Sequence, residues 1–209
     1  MNKPASGLPG YVQNLPQTGN AVFNNWVTLD PQGARIFRSS QPYYNGNVDT
    51  PPYWDSSAVA LLQQYAIAVV ISLNHNAPYT LLGCIELTNA GIIHIHLPVV
   101  DFGTPTNHDL ILGCTAIQDA IAKGHNVLIH CGFGEGRTGT MWTAWQIYNL
   151  PRNESSLAEL NALIEASTAE TAGQETRLRL FAQELGVGEP ELPAPTDITL
   201  PPPGGKPEL

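Results

Sequence analysis

The chain reads as an α/β protein with a mainly parallel central sheet flanked by helices, and three observations predict it. Residues 66–73 form a β-branched run without polar alternation, the pattern of a strand buried on both faces, and 126–129 read as a further buried strand. Helical stretches with recognisable caps and glycine stops separate the strand-like runs, and strand–helix alternation with right-handed crossovers builds a parallel sheet. Finally, residues 126–148 read as a buried strand, a glycine-rich turn and a helix in immediate succession. In such sheets ligands sit at the carboxyl ends of the strands.

Residues 1–20 are rich in Pro, Gly, Asn and Gln and read as an irregular lead-in. Residues 23–29 and 34–39 flank Asp30-Pro31-Gln32-Gly33, a strong turn signal, so a hairpin is expected. Residues 43–54 contain Tyr43, Tyr44, Tyr53 and Trp54 among Pro and Gly and read as a loop, either lining a cleft or covering the core edge. Asp55 or Ser56 caps a helix to about Tyr65, followed by the strand at 66–73. A helix over 79–89 stops at Gly91, and 92–98 is the next strand. Thr106 and Asp109 have capping-box spacing at the start of a helix that runs to Lys123 and stops at Gly124. After the glycine-rich turn come helices over 140–148, from Pro151 to Ala166, and over 174–185. The expected organisation is a lead-in (1–20), one folded domain (21–186) and a Pro-rich flexible tail (187–209). Within the tail, Leu200-Pro201-Pro202-Pro203 is a candidate ligand for a proline-reading protein, with a plain disordered end as the simpler alternative.

Composition narrows the function. With 18 acidic residues against 9 Lys+Arg, the formal net charge is −9, and no basic cluster occurs. Nucleic acid and anionic membrane surfaces both demand basic patches, so neither is expected as a partner. The apolar run near residue 70 is far short of a membrane span, and the first residues lack the apolar core of a secretory signal. Three irregularly spaced cysteines (84, 114 and 131) make neither a disulfide framework nor a zinc site, which suits a reducing, cytoplasmic setting. Delivery into another cell stays open.

The stretch from His130 to Gly139 carries the chemistry. A helix start offers N–H groups without intrahelical partners and partial positive charge. Gly132, Gly134 and Gly136 let successive N–H groups of residues 132–136, those of Phe133 and Glu135 included, curl around one anion. Arg137 adds a planar fork suited to phosphate. Cys131 lies at the bottom of this cradle, where positive potential favours a thiolate nucleophile. The competing reading is a buried cysteine beside a helix cap.

His130-Cys131, the spacing Cys-x5-Arg to Arg137 and the following Thr138-Gly139 resemble the phosphate loop of cysteine-based protein tyrosine phosphatases. The longer string through Thr140-Met141 is most similar to the small atypical dual-specificity phosphatases, and residues 35–42 resemble the strand and turn that open those domains. The resemblance implies a dual-specificity-phosphatase-like fold and phosphomonoester hydrolysis without cofactor or metal. Cys131 would form a phosphocysteine, Arg137 and the loop N–H groups would hold the phosphoryl oxygens, and Thr138 would donate to the thiolate. His130 would orient the loop.

A leaving oxygen needs a proton, and Asp101, in a loop directly after a strand and 30 residues before Cys131, is the expected general acid. The string Val100-Asp101-Phe102 followed by Pro105 resembles the acid loop of dual-specificity enzymes, and Gly103 would give it room to move. Asp109 competes, although a helix first turn already explains it. Gln174 falls loosely where related enzymes hold a residue for the hydrolytic water. His94 and His96 share a strand face but lack a third metal ligand at suitable spacing. Cys84 and Cys114 are candidate partners for a protective disulfide with Cys131, or simply small buried hydrophobes. Glu135 in the variable part of the loop repels additional phosphates, so a singly phosphorylated protein side chain is expected as substrate. A small phosphomonoester such as an inositol phosphate, or phosphoprotein binding without turnover, are the alternatives.

Overall fold

In a computed structural model, residues 22–189 are described apart from 31–32, 34, 47–48 and 77–80 and the side chains of 81–83. The expected lead-in, the middle of the first turn, the start of the helix expected from Tyr79 and the tail from Pro190 onward lie outside the described residues.

Five strands form one sheet in the order β1-β2-β5-β3-β4. β2 (Ile36–Ser40), β5 (Asn126–Cys131), β3 (Ile67–Ser72) and β4 (Ile93–His96) are mutually parallel, while β1 (Val27–Thr28) runs antiparallel to β2. The expected hairpin is present with a shorter first strand, and its turn is held by the Gly33 N–H donating to Asp30 Oδ1 at 3.0 Å. The bulge between Ile67 and Val69 resets the alternation of β3, so that Ile67 and Val70, three residues apart, share one face. Ile67, Val70, Leu128 and Phe37 pack on one side with α1 (Ser56–Gln64) and Leu87 of α2 (Leu81–Asn89). Val69, Ile71, Val127 and Ile129 pack on the other with α3 (Asn107–Ala122), α4 (Gly136–Tyr148), α5 (Leu157–Ala166) and α6 (Ala172–Leu185). This three-layer arrangement explains why the central strands carry no polar alternation.

Local chemistry starts the helices where the sequence indicates. Asp55 caps α1, accepting from the Ala58 N–H at 2.9 Å. Thr106 and Asp109 form a reciprocal capping box at α3. Thr171 caps α6, which starts at Ala172, ahead of the expected Gln174, and closes on Gly186 in the left-handed conformation. Two further boundaries differ from expectation. A 3₁₀ turn (Glu154–Ser156), capped by Asn153, precedes α5 where one continuous helix was expected. α4 begins at Gly136, four residues before Thr140, because the Gly139 N–H already reaches the Glu135 carbonyl at 2.5 Å. Arg137 therefore stands in the first turn of a helix, not on the loop before it. Packing also continues past 186, since Val187 is buried.

Candidate active site

β5 is the central strand, flanked by β2 and β3, and its last residue is Cys131. The loop from Gly132 to Glu135 then turns the chain into α4. Gly134 adopts φ +96°, and its N–H donates to Cys131 Sγ at 3.2 Å. The outer side of the loop is pinned: the Gln41 N–H donates to the Gly132 carbonyl at 2.9 Å, and Asn25 Nδ2 to the Phe133 carbonyl at 2.9 Å. Gly132 is hemmed in, as a Cβ there would lie 2.9 Å from Asp49 Oδ1 and 3.1 Å from an Arg137 nitrogen.

Arg137 is 3% exposed and heavily engaged. One terminal nitrogen donates to Asp49 Oδ2 at 2.6 Å, the Val99 carbonyl at 3.0 Å and the Leu73 carbonyl at 3.4 Å. The other donates to Asp101 Oδ1 at 2.9 Å. Burial works against the guanidinium charge, but Cys131 and the carboxylates of Asp49 and Asp101 outweigh it and move its pKa upward. Cys131, Arg137 and Asp101, from three separate elements, thus meet at the carboxyl end of the sheet. Asp49 was not anticipated from sequence. It lies in the aromatic loop with no motif around it, and only the fold carries it to Arg137.

Asp101 is 55% exposed and follows β4 in a tight turn closed by the Gly103 N–H on the Val100 carbonyl at 2.8 Å. Phe102 beside it holds φ +56°, a conformation costly for a residue with a Cβ. The expectation that Gly103 frees this loop is corrected, because Gly103 is tied at both polar groups. Its carbonyl accepts from Gln174 Nε2 at 3.0 Å. Gln174 Oε1 in turn accepts from the Glu170 N–H at 2.7 Å, so this buried amide clamps the Asp101 loop to the α5–α6 connection. Asp109 is committed to its capping box, with Oδ2 accepting from the Thr106 hydroxyl at 2.6 Å.

His130 is fully buried, with Nδ1 3.3 Å from the Cys131 carbonyl and Nε2 against Ser72 Oγ. Ser72 Oγ also meets His94 Nε2 at 2.7 Å. Burial first, then neighbouring histidines, hold His130 down to about 3 and His94 to about 4, so both rings are neutral at pH 7. A neutral His130 donates from Nδ1 to the Cys131 carbonyl and accepts at Nε2. His96 donates from Nε2 to the Asn74 carbonyl at 2.9 Å. No group of three metal-ligating side chains occurs among the described residues. Thr138 Oγ1 is buried and finds no hydrogen-bond partner among the described residues, so the bond expected from it to the thiolate is not formed. All three cysteines are free, and burial pushes the Cys114 thiol up to about 12.

The four aromatic residues of the 43–54 loop divide between both anticipated roles. Trp54 is buried edge-on against His130, and Tyr43 bonds Asp55 at 2.7 Å. Tyr44 faces the site: burial and then the charges of Asp101, Asp49 and Cys131 raise its pKa, and its ring lies 5.9 Å from Phe133. Acidic groups ring the mouth. Glu170 has a raised pKa through burial and then the charges of Glu135 and Asp101, despite the opposing Gly136 N–H and Arg137.

Residues 53–150 match the model of a family described as the DSP-PTPase phosphatase of polymorphic toxin systems. Superposition on the crystal structure of Tk-PTP in its active form covers 71% of this chain and 92% of that one, with a TM-score of 0.53 and 25% identity. These two matches support a cysteine-based protein tyrosine phosphatase of the atypical dual-specificity type. The same fold is shared with PTPMT1 in complex with PI(5)P (22% identity, TM-score 0.53, 72% of this chain and 92% of that one). It is also shared with TpbA of P. aeruginosa (18% identity, TM-score 0.50, 80% and 96%). An uncharacterised protein of Methanocaldococcus jannaschii is 35% identical over 51 residues, 24% of this chain and 35% of that protein. A second from the same organism is 34% identical over 59 residues, or 28% and 37%. The chain therefore spans little more than a third of these curated relatives.

Proposed function

We propose that the protein hydrolyses phosphate monoesters on phosphorylated proteins through a phosphocysteine on Cys131, with Asp101 as general acid. The observation that carries this reading is the meeting of Cys131, Arg137 and Asp101 around one glycine-rich helix start, with Arg137 2.9 Å from Asp101. The thiolate attacks phosphorus in line, a P–S bond forms, and the P–O bond to the leaving group breaks. Asp101 gives its proton to the departing oxygen. Water then attacks the phosphocysteine and passes a proton to the Asp101 carboxylate, and the P–S bond breaks to return the thiolate. Arg137 and the loop N–H groups hold the equatorial oxygens throughout, acting where negative charge is spread in the transition state.

The electrostatics of the mouth support a singly phosphorylated substrate. Asp49, Asp101, Glu135 and Glu170 act on a site whose buried cation is Arg137, and a second phosphate on the same ligand would meet these carboxylates. Tyr44 and the exposed ring of Phe133 add an aromatic wall that suits a phosphorylated side chain. The test is turnover, without added metal, of phosphotyrosyl and phosphothreonyl peptides against soluble inositol polyphosphates. Faster turnover of the peptides, lost in Cys131→Ser, is the expected result. Preference for the polyphosphates would transfer the enzyme to small-molecule chemistry, and vanadate binding without turnover would make it a phosphoprotein reader.

The family's description in terms of polymorphic toxin systems supports a second element, action on phosphoproteins of a cell other than the producer. Expression of the wild type, but not of Cys131→Ser, should then impair growth of a naive host. Equal growth would favour an enzyme that stays in its own cytoplasm.

A further inference from the structure

We propose that Asp49 is the positioning residue of Arg137, its standing counter-ion, whereas Asp101 is an exchangeable one that an incoming phosphate replaces. The inference rests on the reading of Arg137 as the phosphate-binding residue and adds a role that the nucleophile, acid and loop do not cover.

The two carboxylates meet opposite ends of one guanidinium, yet their surroundings differ. Asp49 is 11% exposed and Asp101 is 55% exposed. The nitrogen facing Asp49 also has the Val99 and Leu73 carbonyls, three acceptors for two hydrogens, so it is saturated from within the protein. The nitrogen facing Asp101 is engaged by the more exposed of the two carboxylates, so this is the edge left for phosphoryl oxygens.

Asp49 is itself held by a second layer. Asn74, fully buried, donates from Nδ2 to Asp49 Oδ1 and to Gln41 Oε1, the latter at 2.6 Å. Gln41 binds Thr50, next to Asp49, at both ends of its amide, 2.5 Å to the hydroxyl and 3.2 Å from the N–H. Its own N–H holds the Gly132 carbonyl of the phosphate loop. The chain Gly132–Gln41–Asn74–Asp49–Arg137 thus links the first residue of the loop to the arginine that follows it, by buried and part-buried polar contacts. Gly132 leaves the space that Asp49 fills. With one edge of the guanidinium fixed in this way, the other edge is presented to phosphate without reorganisation.

A positioning role and a purely electrostatic one have opposite signatures. Removing a negative charge from an anion site relieves repulsion and lowers KM, while releasing Arg137 from its fixed orientation lowers kcat. For Asp49→Ala we expect kcat on an aryl phosphate to fall roughly 10- to 100-fold, the scale of a misplaced catalytic group. Asp49→Asn keeps an acceptor for Asn74 and should fall between. The deciding measurement is a double-mutant cycle with Arg137→Lys, in which Asp49→Ala should cost little further because its partner is already gone. Orthovanadate affinity and melting temperature are read on all four proteins, and vanadate carries the cycle where turnover is too slow. Equal losses from Asp49→Ala in both backgrounds, or a loss that follows melting temperature alone, would overturn the proposal in favour of a structural carboxylate. Unchanged kcat with lowered KM would reduce Asp49 to a charge. A wild type that neither turns over aryl phosphate nor binds vanadate would refute the reading of the site itself.

Discussion

Gly134 shows at single-residue scale why the phosphate loop needs its glycines in particular places. Its φ of +96° is strained for any residue with a side chain, and an added Cβ would overlap the backbone of Ser39 and Ser40 on β2. Gly134→Ala should cost about 1–3 kcal/mol, seen as a lowered melting temperature, and should move the N–H that holds Cys131 Sγ. A variant with unchanged stability and activity would show that the loop tolerates another conformation. Cys131, Arg137 and the loop were legible in the sequence because their identity and spacing are local. Asp49 was not, because its meaning comes from a contact 88 residues away. Thr138 illustrates the converse: a hydroxyl at the familiar distance from the cysteine is buried without the expected bond.

At the scale of elements, the connection between α5 and α6 is tied to the Asp101 loop after β4. Gln174 joins them, donating to the Gly103 carbonyl and accepting from the Glu170 N–H. The sequence could place Gln174 near the water-handling position of related enzymes, but not reveal that both ends of its amide are already used. Gln174→Ala leaves two backbone groups without their partner, and each such loss costs about 1–3 kcal/mol where burial is complete. The expected outcome is lower stability together with a fall in kcat on peptide substrates, which need the acid, larger than the fall on activated aryl phosphates. Equal falls on both would mean that the clamp does not serve Asp101. Helix boundaries show the same division. Asp55 and Thr106 were readable as caps because capping is local, whereas Thr171 starts α6 ahead of the expected Gln174 and α4 starts early through the contact of the Gly139 N–H with Glu135 within the loop.

Across the whole molecule, the parallel sheet holds two neutral histidines, His130 buried and His94 half-buried, and this couples stability to pH. His130 and His94 have folded pKa values of about 3 and about 4, below the ordinary 6.5. Between pH 6.5 and about 4 the unfolded chain therefore binds more protons than the folded one. The stability gained from neutral burial is complete above pH 6.5 and is lost as pH falls, by at most about 1.4 kcal/mol per pH unit for each ring. Melting temperature should drop from pH 7 to pH 5, and His94→Gln, which retains a donor for Ser72, should flatten that slope. A slope unchanged by His94→Gln would assign the acid sensitivity to the carboxylates. The sheet itself was the most legible feature, since unbroken β-branched runs have few other uses. The strand order was not, because it depends on which strand the Cys131 strand pairs with on either side.

The central claim, that Cys131 carries the phosphoryl group, is tested most directly by acid-quenching the enzyme during turnover of an aryl phosphate and locating the modification by peptide mass spectrometry. The account predicts the mass of one phosphoryl group on the peptide containing Cys131, more abundant in a variant slowed in the second step and absent from Cys131→Ser. Steady turnover with that peptide unmodified, or with the phosphoryl group on another residue, would contradict it.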